Sequence, residues 1–135
     1  MPGSGRSVRE IARRGAALGA LALAACGGGP GERAMAEGAR LTGGDPHRAP
    51  AELRRYGCNT CHTIPGVPGA DGRVGPPLTG IAGRAYIGGV LTNTPANLVH
   101  WIVDPPAVDS QTAMPRTGIS PDEARDVAAY LYSLR

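Results

Sequence analysis

The chain contains no Phe and no Lys, and only five aromatic residues, one Trp and four Tyr, in 135 positions. A small fold built without Phe has little bulky apolar material of its own, so something else should fill its core. Three Cys are too few for a dense disulfide scaffold. Long apolar runs are missing as well. The stretch Gly15 to Ala25 covers 11 residues, short of the roughly 20 needed to cross the hydrocarbon core of a bilayer. With 19% charged residues and a length suited to one domain, the chain is not a charged disordered tail. Gly and Pro are what it has in quantity, 21 and 13 residues, a composition that borders on low complexity.

All 14 basic residues are Arg. Four of them, Arg6, Arg9, Arg13 and Arg14, stand with one acid, Glu10, ahead of the apolar run. A basic stretch, a short apolar stretch and small residues before a cleavage point describe an export signal, here residues 1–25. A flank so one-sidedly basic does not suit a buried core helix. Leu23-Ala24-Ala25-Cys26-Gly27 resembles a bacterial lipobox, which implies that Cys26 becomes the lipidated first residue and holds the protein on the periplasmic side of a membrane. Arg13-Arg14 lacks the bulky apolar residues that should follow a twin-arginine pair. Removal of the signal takes four Arg and one Glu with it and leaves ten basic and ten acidic residues. The net charge of +3 therefore belongs to the signal, and no argument for a nucleic-acid partner survives.

Residues 26–46 comprise Cys26 and a stretch with seven Gly and two Pro. They read as a flexible linker, which as random coil would span roughly 25 Å. Ala, Glu and Arg between 32 and 41 would suit a short helix, but no apolar period is sustained there. The domain is expected over 47–135. A first helix is predicted over about 50–57, with Pro50 in its first turn. A second runs over about 95–103 behind Thr94 as N-cap and Pro95, with Leu98, Trp101 and Ile102 on one side, and stops before Pro105 and Pro106. A third starts with Ser120, Pro121 and Glu123 in a capping-box pattern. Ala124, Val127, Ala128, Leu131 and Leu134 recur along it at helical spacing. No strand pattern is comparably strong, so the fold class is all-α with long Gly- and Pro-rich loops.

Cys58-Asn59-Thr60-Cys61-His62 is a C-x-x-C-H, the attachment signature of c-type haem. Two thiols three residues apart can add to the two vinyl groups of one haem, and the adjacent His can offer an imidazole nitrogen to iron. A thiol–disulfide oxidoreductase would prefer a βαβ context, which the sequence does not show. Half of a zinc site would need a second ligand pair, and none is present. For the other axial position, Met1 leaves with the signal and Met35 lies in the linker. Met114, on a Pro-flanked loop between the second and third helices, is the only Met after the haem motif. His47 and His100 compete, and both read as solvent-facing.

Residues 47–135 resemble a mono-haem class I cytochrome c. The likeness rests on Cys58/Cys61/His62, on Gly75-Pro76-x-Leu78, and on Gly80-x-x-Gly83-Arg84. It continues through Asn97-Leu98-x-x-Trp101-Ile102-x-Asp104-Pro105, Thr112-Ala113-Met114-Pro115 and Ala129-Tyr130-Leu131. It implies a class I cytochrome c fold around one haem c, attached through Cys58 and Cys61, which would itself be the largest apolar body in the core. His62 and Met114 would be the iron ligands and Trp101 the aromatic beside Met114. The Pro76 carbonyl would accept a hydrogen bond from His62, and Arg84 would help hold a propionate. The closing helix would cross the N-terminal one, where Leu53 stands for a frequent aromatic and Ala49 for a frequent Gly. The phrase from Leu91 to Ile102 is similar to cytochrome c domains fused to second subunits of haem–copper terminal oxidases, without their cupredoxin portion. The expected role is one-electron transfer, with a terminal oxidase, a quinol–cytochrome c reductase or a dehydrogenase as partners. A haem enzyme or a gas- or peroxide-binding protein with an open sixth position is the alternative.

Overall fold

A computed structural model describes residues 29–135; the expected signal and Cys26 lie outside the described residues. In chain order the helices are α1 (Glu32–Thr42), α2 (Ala49–Arg55), α3 (Cys58–Cys61), α4 (Pro95–Val103), α5 (Pro105–Val108) and α6 (Pro121–Ser133). A single 3-10 turn covers Ile81–Gly83, and strands β1 (Tyr86–Ile87) and β2 (Leu91–Thr92) pair as a two-residue antiparallel ribbon. Among the described residues, no helix is long and apolar enough to cross a membrane.

Helix α6 organises the molecule. Ser120 accepts from the Glu123 backbone N–H while the Glu123 carboxylate takes the Ser120 N–H, the reciprocal cap expected of this sequence. The five apolar positions predicted to line its inner face are all buried. So are Asp126, Ala129, Tyr130, Tyr132 and Ser133, which leaves the second half of α6 covered on every side. Helices α1, α2 and α4 all pack on it. The core between them is formed by Leu53, Ile64, Leu98 and Val127, all nearly without exposure.

Helix α1 corrects the expected linker. Residues 32–42 form three turns of helix, with Glu32 in the first turn and Arg40 in the last, both suited to the helix dipole. Gly43, at φ 73°, closes it with its N–H on the Ala39 carbonyl. The domain therefore begins well before residue 47. Its crossing with α6 is made at Gly38, where a Cβ would run into the Ala129 carbonyl. The Gly missing at position 49 is thus supplied eleven residues earlier in the chain. At Gly44 the backbone again lies flush on α6, against Arg125 and Asp126.

Helix α4 matches its predicted bounds. Thr94 caps it by accepting from the Asn97 N–H, and Asp104 ends it. The two prolines that stop α4 also start α5, because Asp104 serves as the N-cap of that next turn and accepts from the Ala107 N–H. The Gly- and Pro-rich stretch from Thr63 to Val74 folds back on itself: Thr63 pairs with Asp71, and Ile64, Val67 and Ala70 are buried.

Candidate haem site

Cys58 and Cys61 bracket the single turn α3, and both are free, half-buried thiols. The turn starts from Gly57 at φ 74°, a conformation suited to Gly, and ends as His62 becomes extended with its N–H on the Cys58 carbonyl. Burial pushes the Cys58 thiol above its ordinary value, with a backbone hydrogen bond opposing and Cys61 reinforcing the shift. A thiol–disulfide catalyst needs the opposite, a nucleophile made acidic by its surroundings. Among the described residues, no group of three or more His, Cys, Asp or Glu is arranged to hold a metal ion.

The His62 ring is fixed from two directions. Its Nδ1 lies 2.7 Å from the Pro76 carbonyl oxygen, which as an acceptor selects the tautomer with the proton on Nδ1. The Nε2 lone pair is then left for a metal. Gly75 lies flat against the same ring, where a Cβ would come within 2.7 Å of Nδ1 and 2.9 Å of Nε2. The loop carrying Gly75 and Pro76 is tied back by the Gly75 N–H to the Cys61 carbonyl at 2.7 Å and the Leu78 N–H to the Thr63 carbonyl at 2.9 Å. This correspondence between residues 14 apart is the contact that the Gly-Pro-x-Leu likeness implied.

The other expected site residues are placed by separate elements. Arg84 donates through Nη2 to the Pro77 carbonyl and, at 3.1 Å, to that of Thr79, so its guanidinium straps the loop beyond Pro76. Trp101, half-buried on α4, packs its ring against Gly88, where a Cβ would meet Cη2 at 2.6 Å. Met114 is half-buried on the loop between α5 and α6, and its N–H donates to the Thr112 hydroxyl at 3.2 Å. His47 and His100 are exposed as expected, His47 near Glu32 at 3.8 Å.

Sequence reasoning missed Asn93. Its side-chain amide donates to the Ile81 carbonyl at 2.8 Å and the Arg84 carbonyl at 2.9 Å, and its oxygen accepts from the Tyr132 hydroxyl at 2.7 Å. It thereby joins the Arg84 segment to α6. Asn93 precedes a helix cap and reads as loop polarity, so no local pattern marks it.

These residues fit a covalent haem on their own chemistry. Two reduced thiols stand at the ends of one helical turn, an imidazole beside them has one nitrogen committed and one free, and two glycines lie against the His62 and Trp101 rings. A model of the family described as "Cytochrome c" matches residues 36–135, from within α1 to the end of the chain. No curated protein and no solved structure matches the sequence. The family match covers most of the chain and includes both helices of the α1–α6 crossing; the chain belongs to the cytochrome c family, has its all-α class I fold, and is of the kind that carries covalent haem c.

Proposed function

We propose that this protein is a one-electron carrier held at a membrane surface. The observation that carries the reading is the His62 Nδ1–Pro76 hydrogen bond, which orients the imidazole and raises the basicity of Nε2. Cys58 and Cys61 would hold the haem by two thioether bonds, and His62 through Nε2 and Met114 through its sulfur would be the iron ligands. Haem c supplies an iron that takes and gives one electron. Met114 as a thioether ligand favours a higher potential than a second imidazole would, and it fills the position that a substrate would need. Trp101, if it stands beside Met114 as the family likeness implies, would help keep water from the site. Arg84, anchored on the loop beyond Pro76, would offer its other N–H groups to a propionate.

Export and lipidation at Cys26 are part of the same reading. The described chain begins at Gly29, which lies against Gly66. Only two residues would separate that contact from a lipidated Cys26, a reach of roughly 10 Å at full extension. Such a tether would hold the domain close to the membrane rather than let it swing, a short path to membrane-bound partners. A terminal oxidase is the acceptor favoured by the likeness of the Leu91–Ile102 phrase, with a quinol–cytochrome c reductase or a dehydrogenase as donor.

The test is a redox titration with optical spectra on haem-loaded protein. A reversible one-electron wave and a Met-to-iron charge-transfer band in the oxidised state are expected, with the band lost in Met114→Ala. High-spin ferric iron in the wild type would instead mean an open position and a haem enzyme or gas-binding protein. Equal membrane association of wild type and Cys26→Ser would remove the lipid anchor from the proposal.

A further inference from the structure

The loop that carries Met114 has few polar ties to the rest of the protein. The Gln111 N–H donates to the Asp109 carboxylate, the Thr112 N–H to the Asp109 carbonyl, and the Met114 N–H to Thr112, all within the loop itself. Among the described residues, the hydrogen bonds that take residues 110–118 beyond Asp109 are those of Arg116 to Asp104. Arg116 Nη2 straddles the carboxylate, 2.6 Å from Oδ1 and 2.7 Å from Oδ2. Asp104 is itself well fixed. Its N–H bonds the His100 carbonyl at the end of α4, and its Oδ1 accepts from the Ala107 N–H at the start of α5. The same α4 carries Trp101.

We propose that the Asp104–Arg116 pair is a positioning clamp that holds the Met114 loop to the end of α4 and so limits how readily Met114 gives up its ligand position. The inference rests on the reading of Met114 as an axial ligand. Arg116 is 61% exposed and Asp104 28%, so the pair contributes little to global stability. Its effect is concentrated on local opening of one loop, which needs far less free energy than unfolding. An exposed pair of this kind should change the opening equilibrium by about two- to fivefold.

The experiment uses haem-loaded full-length protein in the ferric state, titrated with imidazole while the Met-to-iron charge-transfer band is followed. Arg116→Ala should bind imidazole about two- to fivefold more tightly than wild type. Arg116→Lys should restore much of the difference, and the gap should close in about 1 M salt, where the screening length is about 3 Å. Asp104→Asn keeps an acceptor for the Ala107 N–H but loses the charge, and should behave as Arg116→Ala does. Thermal midpoints should stay close to wild type, since a purely structural role would move them and leave imidazole affinity alone. Wild-type imidazole affinity in Arg116→Ala, with its band intact, would overturn the clamp. A wild-type protein without the band would overturn the Met114 reading itself, and the two failures are told apart by the first spectrum.

Discussion

Gly38 on α1 lies directly on the backbone of Ala129 on α6: a Cβ at 38 would strike the Ala129 carbonyl oxygen and come within 2.9 Å of its carbon. Two effects oppose each other in Gly38→Ala. Alanine favours the helix by about 1 kcal/mol over glycine. Overpacking a tight contact costs about 1–3 kcal/mol, and here the obstacle is backbone, which cannot rotate aside. The steric term should win. Gly38→Ala is expected to lower stability by about 1 kcal/mol, or about 5 °C in thermal midpoint for a domain of this size. A midpoint at or above wild type would show that the helices separate at no cost.

The second prediction concerns Gly75. A Cβ there would press on the His62 ring while Nδ1 is held by Pro76, so the ring must turn and lose that hydrogen bond. Outer-shell partners of a metal-ligating His are commonly worth about 10–100-fold in metal affinity or activity. Gly75→Ala should therefore weaken His62 ligation, seen as a smaller low-spin fraction in the ferric spectrum and easier displacement in denaturant. Gly83→Ala is the control, because a Cβ at 83 meets nothing within 4 Å. Indistinguishable spectra for the two variants would argue that the Gly75 contact does not govern the ring.

The contrast between these two glycines shows which parts of the molecule were legible in the sequence. The C-x-x-C-H turn, the Gly-Pro-x-Leu loop, α4 and α6 are all written in short-range signals: caps, prolines and apolar spacing. Helix α1 is not. It packs through Gly38 and presents Leu41 at 40% exposure. Its inner face is made of Ala34, Met35, Gly38 and Ala39, with the charges of Glu32, Arg33 and Arg40 outside, so the helical period is present but carried by small residues whose Gly content resembles a linker's. Gly43 and the Glu32/Arg40 polarity were available beside it as stop and dipole signals. Asn93 was hidden for a related reason. Its three partners, Ile81, Arg84 and Tyr132, come from different segments, so its role exists only in the folded chain.

That role makes a third prediction. Tyr132→Phe removes one donor from Asn93 and should cost about 1 kcal/mol. Asn93→Ala leaves the Ile81 and Arg84 carbonyls and the Tyr132 hydroxyl without their partner in a half-buried place, and should cost about 2–3 kcal/mol. Denaturant midpoints would rank wild type, Tyr132→Phe and Asn93→Ala in that order. The double variant should lose no more than Asn93→Ala alone, since the shared bond is already gone. Full additivity of the two losses would count against a single connected network.

The last prediction is a pH dependence set by Glu52. Its carboxyl is buried on α2, and Oε2 accepts no hydrogen bond among the described residues. Asp126 of α6 stands beside it and is itself held by Arg48 at 2.7 Å and by the Asp45 N–H at 2.6 Å, with Glu123 also facing Glu52. Burial first, then the negative charge of Asp126, pushes Glu52 up to about 7, against the opposing pull of Arg48. The folded protein therefore holds a proton that the unfolded chain releases near 4.5. Stability from this group is fully present below about 4.5 and falls as pH rises to about 7, by at most about 3 kcal/mol. Glu123 runs the other way. Hydrogen bonds from Ser120 and Tyr56 hold it down to about 2, so its contribution is present above 4.5 and is lost only in stronger acid. Between pH 5 and 8 the slope should thus belong to Glu52. Wild-type denaturant midpoints should fall across that range. Glu52→Gln, which keeps the side chain's size and can donate to Asp126, should flatten the profile and exceed wild type at pH 8. A wild-type midpoint that rises from pH 5 to 8, or an unchanged slope in Glu52→Gln, would show that the buried pair shares no proton.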